Sequence, residues 1–123
     1  MLAYPRMKRS LAVLLAVLAP LAAAAAEPVP PGTAPFSVKL EPKDVHEECM
    51  HLEAGEKRNW SWRADGPVDF NIHYHEGEDA RFPVKRDAMR GDGGTFTAKV
   101  AQDYCWMWTA RDKPVELEGR IAE

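Results

Sequence analysis

From Phe36 onward, apolar and polar residues alternate in short runs, broken by turn residues every eight to twelve positions. Val68 to His75 is the clearest run. Val68, Phe70, Ile72 and Tyr74 fall on one side and Asp69, Asn71, His73 and His75 on the other, the period-two signature of a strand with one buried face. Ser37–Leu40, Asn59–Ala64, Arg81–Lys85, Thr95–Val100, Tyr104–Ala110 and Val115–Ile121 alternate in the same way. Asp65-Gly66-Pro67, Glu76-Gly77-Glu78-Asp79 and Gly91-Asp92-Gly93-Gly94 read as turns between them. Many short strands with Gly and Pro turns predict an all-β fold, a small antiparallel β-sandwich.

The first 26 residues break this pattern. Arg6, Lys8 and Arg9 precede an apolar run from Leu11 to Ala19, and Ala24-Ala25-Ala26 offers a small-residue cleavage site. This predicts a signal peptide over residues 1–26 and an exported protein, periplasmic or secreted. The apolar run is too short to span a bilayer, so no membrane span is expected after cleavage. Residues 27–35, with Pro28, Pro30, Pro31 and Pro35, predict an extended linker, which leaves the domain at 36–123.

Removing the leader leaves 97 residues, enough for one domain. The leader holds three of the 16 bases and none of the 19 acids, so the remainder carries a formal net charge of −6. No basic stripe exists to neutralise phosphates, so nucleic acid is not an expected partner. Only 12 Val, Ile or Leu remain beside ten aromatic residues, so the core must be built from rings. The pairs Trp60–Trp62 and Trp106–Trp108 each put two rings on one strand face, and burial is the expected use of both.

Cys49 and Cys105 are the two cysteines. Export sends them to an oxidising compartment, where one intramolecular disulfide is the expected outcome. Residues 45–54 are ambiguous. Asp44 with Glu47 forms a capping-box pattern and Gly55 stands where a helix C-cap would, so local propensity favours a helix. A two-sheet sandwich needs a partner strand for the disulfide, and tertiary context overrides weak propensity, so we assign a strand.

The motifs Glu48-Cys49, Leu52-x-x-Gly55, Val68-Asp69-Phe70-Asn71-Ile72, Gly94-x-Phe96-Thr97-Ala98, Asp103-Tyr104-Cys105-Trp106-Met107-Trp108 and Pro114-Val115-Glu116-Leu117 occur in an order that resembles the GOLD domain, the luminal β-sandwich of secretory-pathway cargo receptors. The resemblance covers Phe36 to Ile121 and implies a GOLD-like or jelly-roll-like sandwich. It also implies a non-catalytic interaction module with a Cys49–Cys105 disulfide. Two features depart from the family. Cys105 follows Tyr104 directly, where the family's cysteine stands three residues later; both offsets are odd, so the face is kept. No coiled-coil and transmembrane tail follows the last motif, so cargo-receptor trafficking is not implied. The Ala-rich leader suggests a bacterial exported relative. Asn59-Trp60-Ser61 is formally a glycosylation sequon and reads as a chance tripeptide.

His73 and His75 are the candidate chemistry. At i and i+2 on a strand they share a side, roughly 7 Å apart at Cα. They oppose the apolar set, so both are expected exposed or half-exposed beside the acidic Glu76–Asp79 turn. Two cis imidazoles can ligate copper or zinc, with further ligands not fixed by the sequence. Two ordinary surface histidines is the competing reading. His51 shares the Cys49 face, and His46 lies opposite with Met50. Met50, Met89 and Met107 lack dense spacing for Cu(I) and read as packing residues. No nucleophile elbow, His-Glu-x-x-His or phosphate loop is present, so no enzyme is expected. The sequence thus predicts an exported, non-catalytic module for an unknown protein or small-molecule partner. The rival is a periplasmic metal-binding protein using His73 and His75.

Overall fold

A computed structural model of the protein describes residues 34–123 and the isolated residue Ala16. The predicted signal peptide and the linker as far as residue 33 lie outside the described residues, Ala16 apart. Six strands follow one another: β1 Phe36–Leu40, β2 Val45–Leu52, β3 Lys57–Glu76, β4 Asp79–Thr97, β5 Gln102–Ala110 and β6 Val115–Ala122.

All pairings are antiparallel, and the long β3–β4 hairpin organises them. The first half of β3, Asn59–Ala64, pairs with β6, which pairs with β1. Its second half, Val68–His73, pairs with β5, which pairs with β2. β4 runs beside β3 through both halves. The six strands form one hydrogen-bonded sheet in the order β1-β6-β3-β5-β2 with β4 on β3, and the bent hairpin folds it into two four-stranded layers that share β3 and β4.

The bend has a local cause. Between the register pairs Arg63–Gly91 and Val68–Met89, β3 carries three more residues than β4, so the hairpin cannot stay flat. The surplus lies at Asp65-Gly66-Pro67. Gly66 is needed there, since a Cβ would stand 2.9 Å from Val115 Cγ1. Asp65 Oδ1 accepts the Glu116 N–H at 2.8 Å and ties the bend to β6. The expected turn at residues 65–67 is therefore a bend inside one strand. The expected turn at Gly91–Gly94 also lies within a strand, because its glycines pair with Ser61, Trp60 and Arg63 on β3. Pairing with a long neighbour overrode the turn chemistry at both places.

The sheets meet through rings. Trp60 of the first sheet lies 4.8 Å from Phe70 of the second, and Phe96 lies 5.6 Å from Trp106. Phe36 approaches Trp108 at 4.9 Å. All four tryptophans are buried, together with Tyr104, Phe70, Leu52, Leu117 and Ile121. The ring-built core expected from composition is present. Residues 45–52 form a strand, so the helix signals around Asp44 yield to pairing with β5, from Val45–Thr109 to Leu52–Gln102. The Thr95–Val100 run stops short: β4 ends at Thr97, and Val100 is 42% exposed.

Candidate functional site

The outer face of the second sheet collects most of the residues with chemistry. The β2–β5 register sets Cys49 directly opposite Cys105, and the two form a disulfide with S–S 2.08 Å and Cα–Cα 4.1 Å. Alternation turns both sulfurs away from the core, since Met50, Leu52, Tyr104 and Trp106 take the inner positions. Cys49 is exposed and Cys105 half-buried. The β3–β5 register sets His73 opposite Cys105 on its other side.

His73 departs from expectation. It faces away from the inter-sheet core, as alternation requires, yet it is only 6% exposed. The cause is an irregularity in β4: between Ile72–Val84 and Tyr74–Arg81 the register shifts, with Phe82 and Pro83 in the gap. Phe82 thereby comes to lie 5.7 Å from the His73 ring. The His75 ring meets His73 edge-on at 5.2 Å. His75 itself is exposed, so the two imidazoles have different environments.

Asn71 is buried beside His73, and the Nδ1–H of His73 donates to Asn71 Oδ1 at 2.7 Å. That bond fixes the tautomer and leaves the Nε2 lone pair free. Nε2 lies 3.8 Å from Glu47 Oε1. Burial pushes the imidazole below its ordinary value, and Glu47 opposes this more weakly. His51 is the opposite case. It is fully exposed, bonded to Asp103 at 2.8 Å and Glu53 at 2.9 Å, and these bonds raise its value.

Among the described residues, Glu47, Cys49 and Cys105 are the group that holds three donor atoms within 4.8 Å of one another. His73 and His75 are neighbours, but no third donor joins them at that spacing. Met50 and Met89 pack against the core as expected, and Met107 is half-buried on the outer face. Glu47 and Asn71 did not stand out in the sequence. Alternation from Cys49 and His73 was the signal that could have found them.

A second feature lies at the open edge of the sandwich, where β4 borders both sheets. A groove of about 560 Å³ runs between Tyr74, Phe82, Val84, Phe96, Val100 and Tyr104. Phe82 is 48% exposed. The Tyr104 hydroxyl donates to the Val100 carbonyl at 2.7 Å and holds the loop that forms one wall. Arg81 and Lys99 stand on the rim.

No family model matches the chain, and no curated protein matches it. Solved structures do. The pre-peptidase C-terminal domain of a collagenase from Bacillus anthracis superposes with a TM-score of 0.55 at 10% identity, over 72% of this chain and 88% of that one. The Yersinia pseudotuberculosis-derived mitogen gives 0.51 at 9% identity, over 75% and 86%. The likeness is one of fold. It places the chain among all-β sandwich domains. No helix among the described residues is long and apolar enough to cross a membrane.

Proposed function

We propose that this protein is an exported, non-catalytic binding module. Its groove at the β4 edge would hold an extended, acidic segment of a protein partner with apolar side chains. The observation that carries the reading is the groove itself, where Phe82 stands exposed and Tyr74 half-buried beside the buried rings of Phe96 and Tyr104. β4 pairs with β3 alone among the described strands, so its outer backbone groups are free to take a further strand. Charge selects the partner. The chain without its leader is acidic, yet the charged side chains that line this groove, Arg81 and Lys99, are both basic. The ordered motifs and the Cys49–Cys105 pairing support a GOLD-like origin for the module, and the basic, apolar-containing leader supports export.

The test uses a fluorescent heptapeptide alternating Glu with Phe and Leu, and a counterpart with Lys in place of Glu. Anisotropy should show binding of the acidic peptide, weakening with salt, and lost in Phe82→Ser and Lys99→Glu. Equal binding of the basic peptide, or binding indifferent to Phe82, would refute the reading.

Copper or zinc binding at His73 and His75 is the second reading, favoured by the 5.2 Å approach of the two rings. It requires binding by the oxidised protein that disappears in the His73→Ala, His75→Ala double variant. Calorimetry with Cu(II) and Zn(II) decides between them.

A further inference from the structure

We propose that reduction of the Cys49–Cys105 disulfide creates a four-ligand site for Zn(II), made of both thiolates, the Glu47 carboxylate and His73 Nε2. This goes beyond the groove reading and shares no residue with it. Three of the four donors, Glu47 and the two sulfurs, already lie within 4.8 Å of one another. The fourth, His73 Nε2, is 3.8 Å from Glu47 Oε1. Zinc bonds of about 2.0–2.3 Å to N, O and S place ligand atoms at comparable mutual distances in a tetrahedron. His73 lies outside that 4.8 Å group, so its side chain and the freed sulfurs must turn toward one another to close the shell.

Three features single this cluster out. Asn71 occupies His73 Nδ1, which orients the ring and presents Nε2, the outer-shell arrangement typical of zinc-bound histidine. The disulfide lies on the outer face with Cys49 exposed, so a reductant reaches it without opening the core. It also joins strands that the ladder from Val45–Thr109 to Leu52–Gln102 already holds, with Leu52 buried at one end. The strand pair therefore keeps its register when the bond is cut.

The chemistry balances with one co-reactant, a dithiol oxidoreductase. Its two thiols pass two electrons and two protons to the cystine, giving two cysteines here and a disulfide there. Zn(II) then displaces two thiol protons and undergoes no redox change. The neutral imidazole and the carboxylate complete the shell. Zinc fits better than Cu(II), which would oxidise the thiolates.

The exported chain, purified without an affinity tag, is reduced with a phosphine under argon and titrated with Co(II) as a spectroscopic stand-in. Far-UV circular dichroism follows the sheet. Reduced protein should show thiolate-to-cobalt charge transfer and the intense visible bands of tetrahedral Co(II), both bleached by Zn(II). Oxidised protein should show neither. His73→Ala and Glu47→Ala should lose the tetrahedral bands, and Asn71→Ala should weaken Zn(II) binding about 10- to 100-fold. His75→Ala and Lys99→Glu should leave the cobalt spectra unchanged, which separates this site from both earlier readings. Three results overturn the proposal: Co(II) binding to reduced protein no tighter than to a Cys49→Ser, Cys105→Ser variant; unchanged spectra in His73→Ala; or loss of the sheet on reduction that Co(II) does not restore.

Discussion

Trp106 offers a sharp test of how the core is assembled. Its ring is fully buried and meets Phe96 edge-on at 5.6 Å and 85°. Its indole Nε1–H finds no protein acceptor. Replacing Trp106 with Ala removes the ring, at a cost of about 3–5 kcal/mol, and the edge-to-face pair, at about 0.5–1.5 kcal/mol. Together these approach the whole stability of a small domain, about 5–15 kcal/mol, so Trp106→Ala should be largely unfolded. Trp106→Phe is different. It keeps the aromatic pair and removes a buried donor whose lack of a partner costs about 1–3 kcal/mol. That relief offsets the smaller volume lost, and the net change should stay within about 1 kcal/mol. Urea denaturation of oxidised protein, followed by far-UV circular dichroism, reads both variants as midpoint shifts at constant m. A Phe variant as unstable as the Ala variant would show that the indole N–H is satisfied. An Ala variant within about 1 kcal/mol of wild type would show that the ring is not in the core.

Three other outcomes follow from particular contacts. Burial lowers the His73 value, so the unfolded chain takes up a proton before the folded one as pH falls. Stability contributed by neutral His73 should be complete above about pH 6.5 and decline from there to its lowered folded value; denaturant midpoints against pH should lose this limb in His73→Gln. Gly119 pairs with Phe36, and a Cβ there would meet the Phe36 ring, which packs on His46 and Trp108. Gly119→Val should therefore cost about 1–3 kcal/mol, read as a lowered thermal midpoint. Asp69 Oδ1 accepts both the Ala88 N–H at 2.9 Å and Arg111 at 2.7 Å, holding Ala88 at φ 53°. Asp69→Ala should cost about 1–3 kcal/mol, and amide exchange should accelerate at Ala88.

Period-two alternation carried most of the fold, because it reports which side of a strand is buried and that survives any loop geometry. It placed Phe70, Ile72, Tyr104, Trp106 and Trp108 inside, and it put Cys49 and Cys105 on faces that could meet. It could not show that two pairs of predicted strands are single long ones. Asp65-Gly66-Pro67 and Gly91–Gly94 carry strong turn chemistry, and only the partner strand reveals that both are absorbed into a bent hairpin. The His73 environment failed for a related reason. Alternation says which way a side chain points and not what lies there, and the β4 register shift that brings Phe82 over His73 leaves little trace beyond Pro83. The edge groove is equally hidden, since nothing in the alternation of Arg81–Lys85 and Thr95–Val100 distinguishes the exposed Phe82 and Val100 from buried positions.

The shared hairpin also governs how this chain must fold. β1 finds β6, and β2 finds β5, across more than half of the domain's length, so apart from the β3–β4 hairpin no described strand pairs with its neighbour in sequence. Such topologies close many loops before contacts repay the entropy, and they fold in milliseconds to seconds. Because β3 and β4 are each half of both sheets, neither sheet is a unit that can nucleate, melt or be exchanged without the other. Native-state exchange should therefore find a single cooperative block rather than two. In evolutionary terms the domain has no internal seam, and recombination could pass it on only whole.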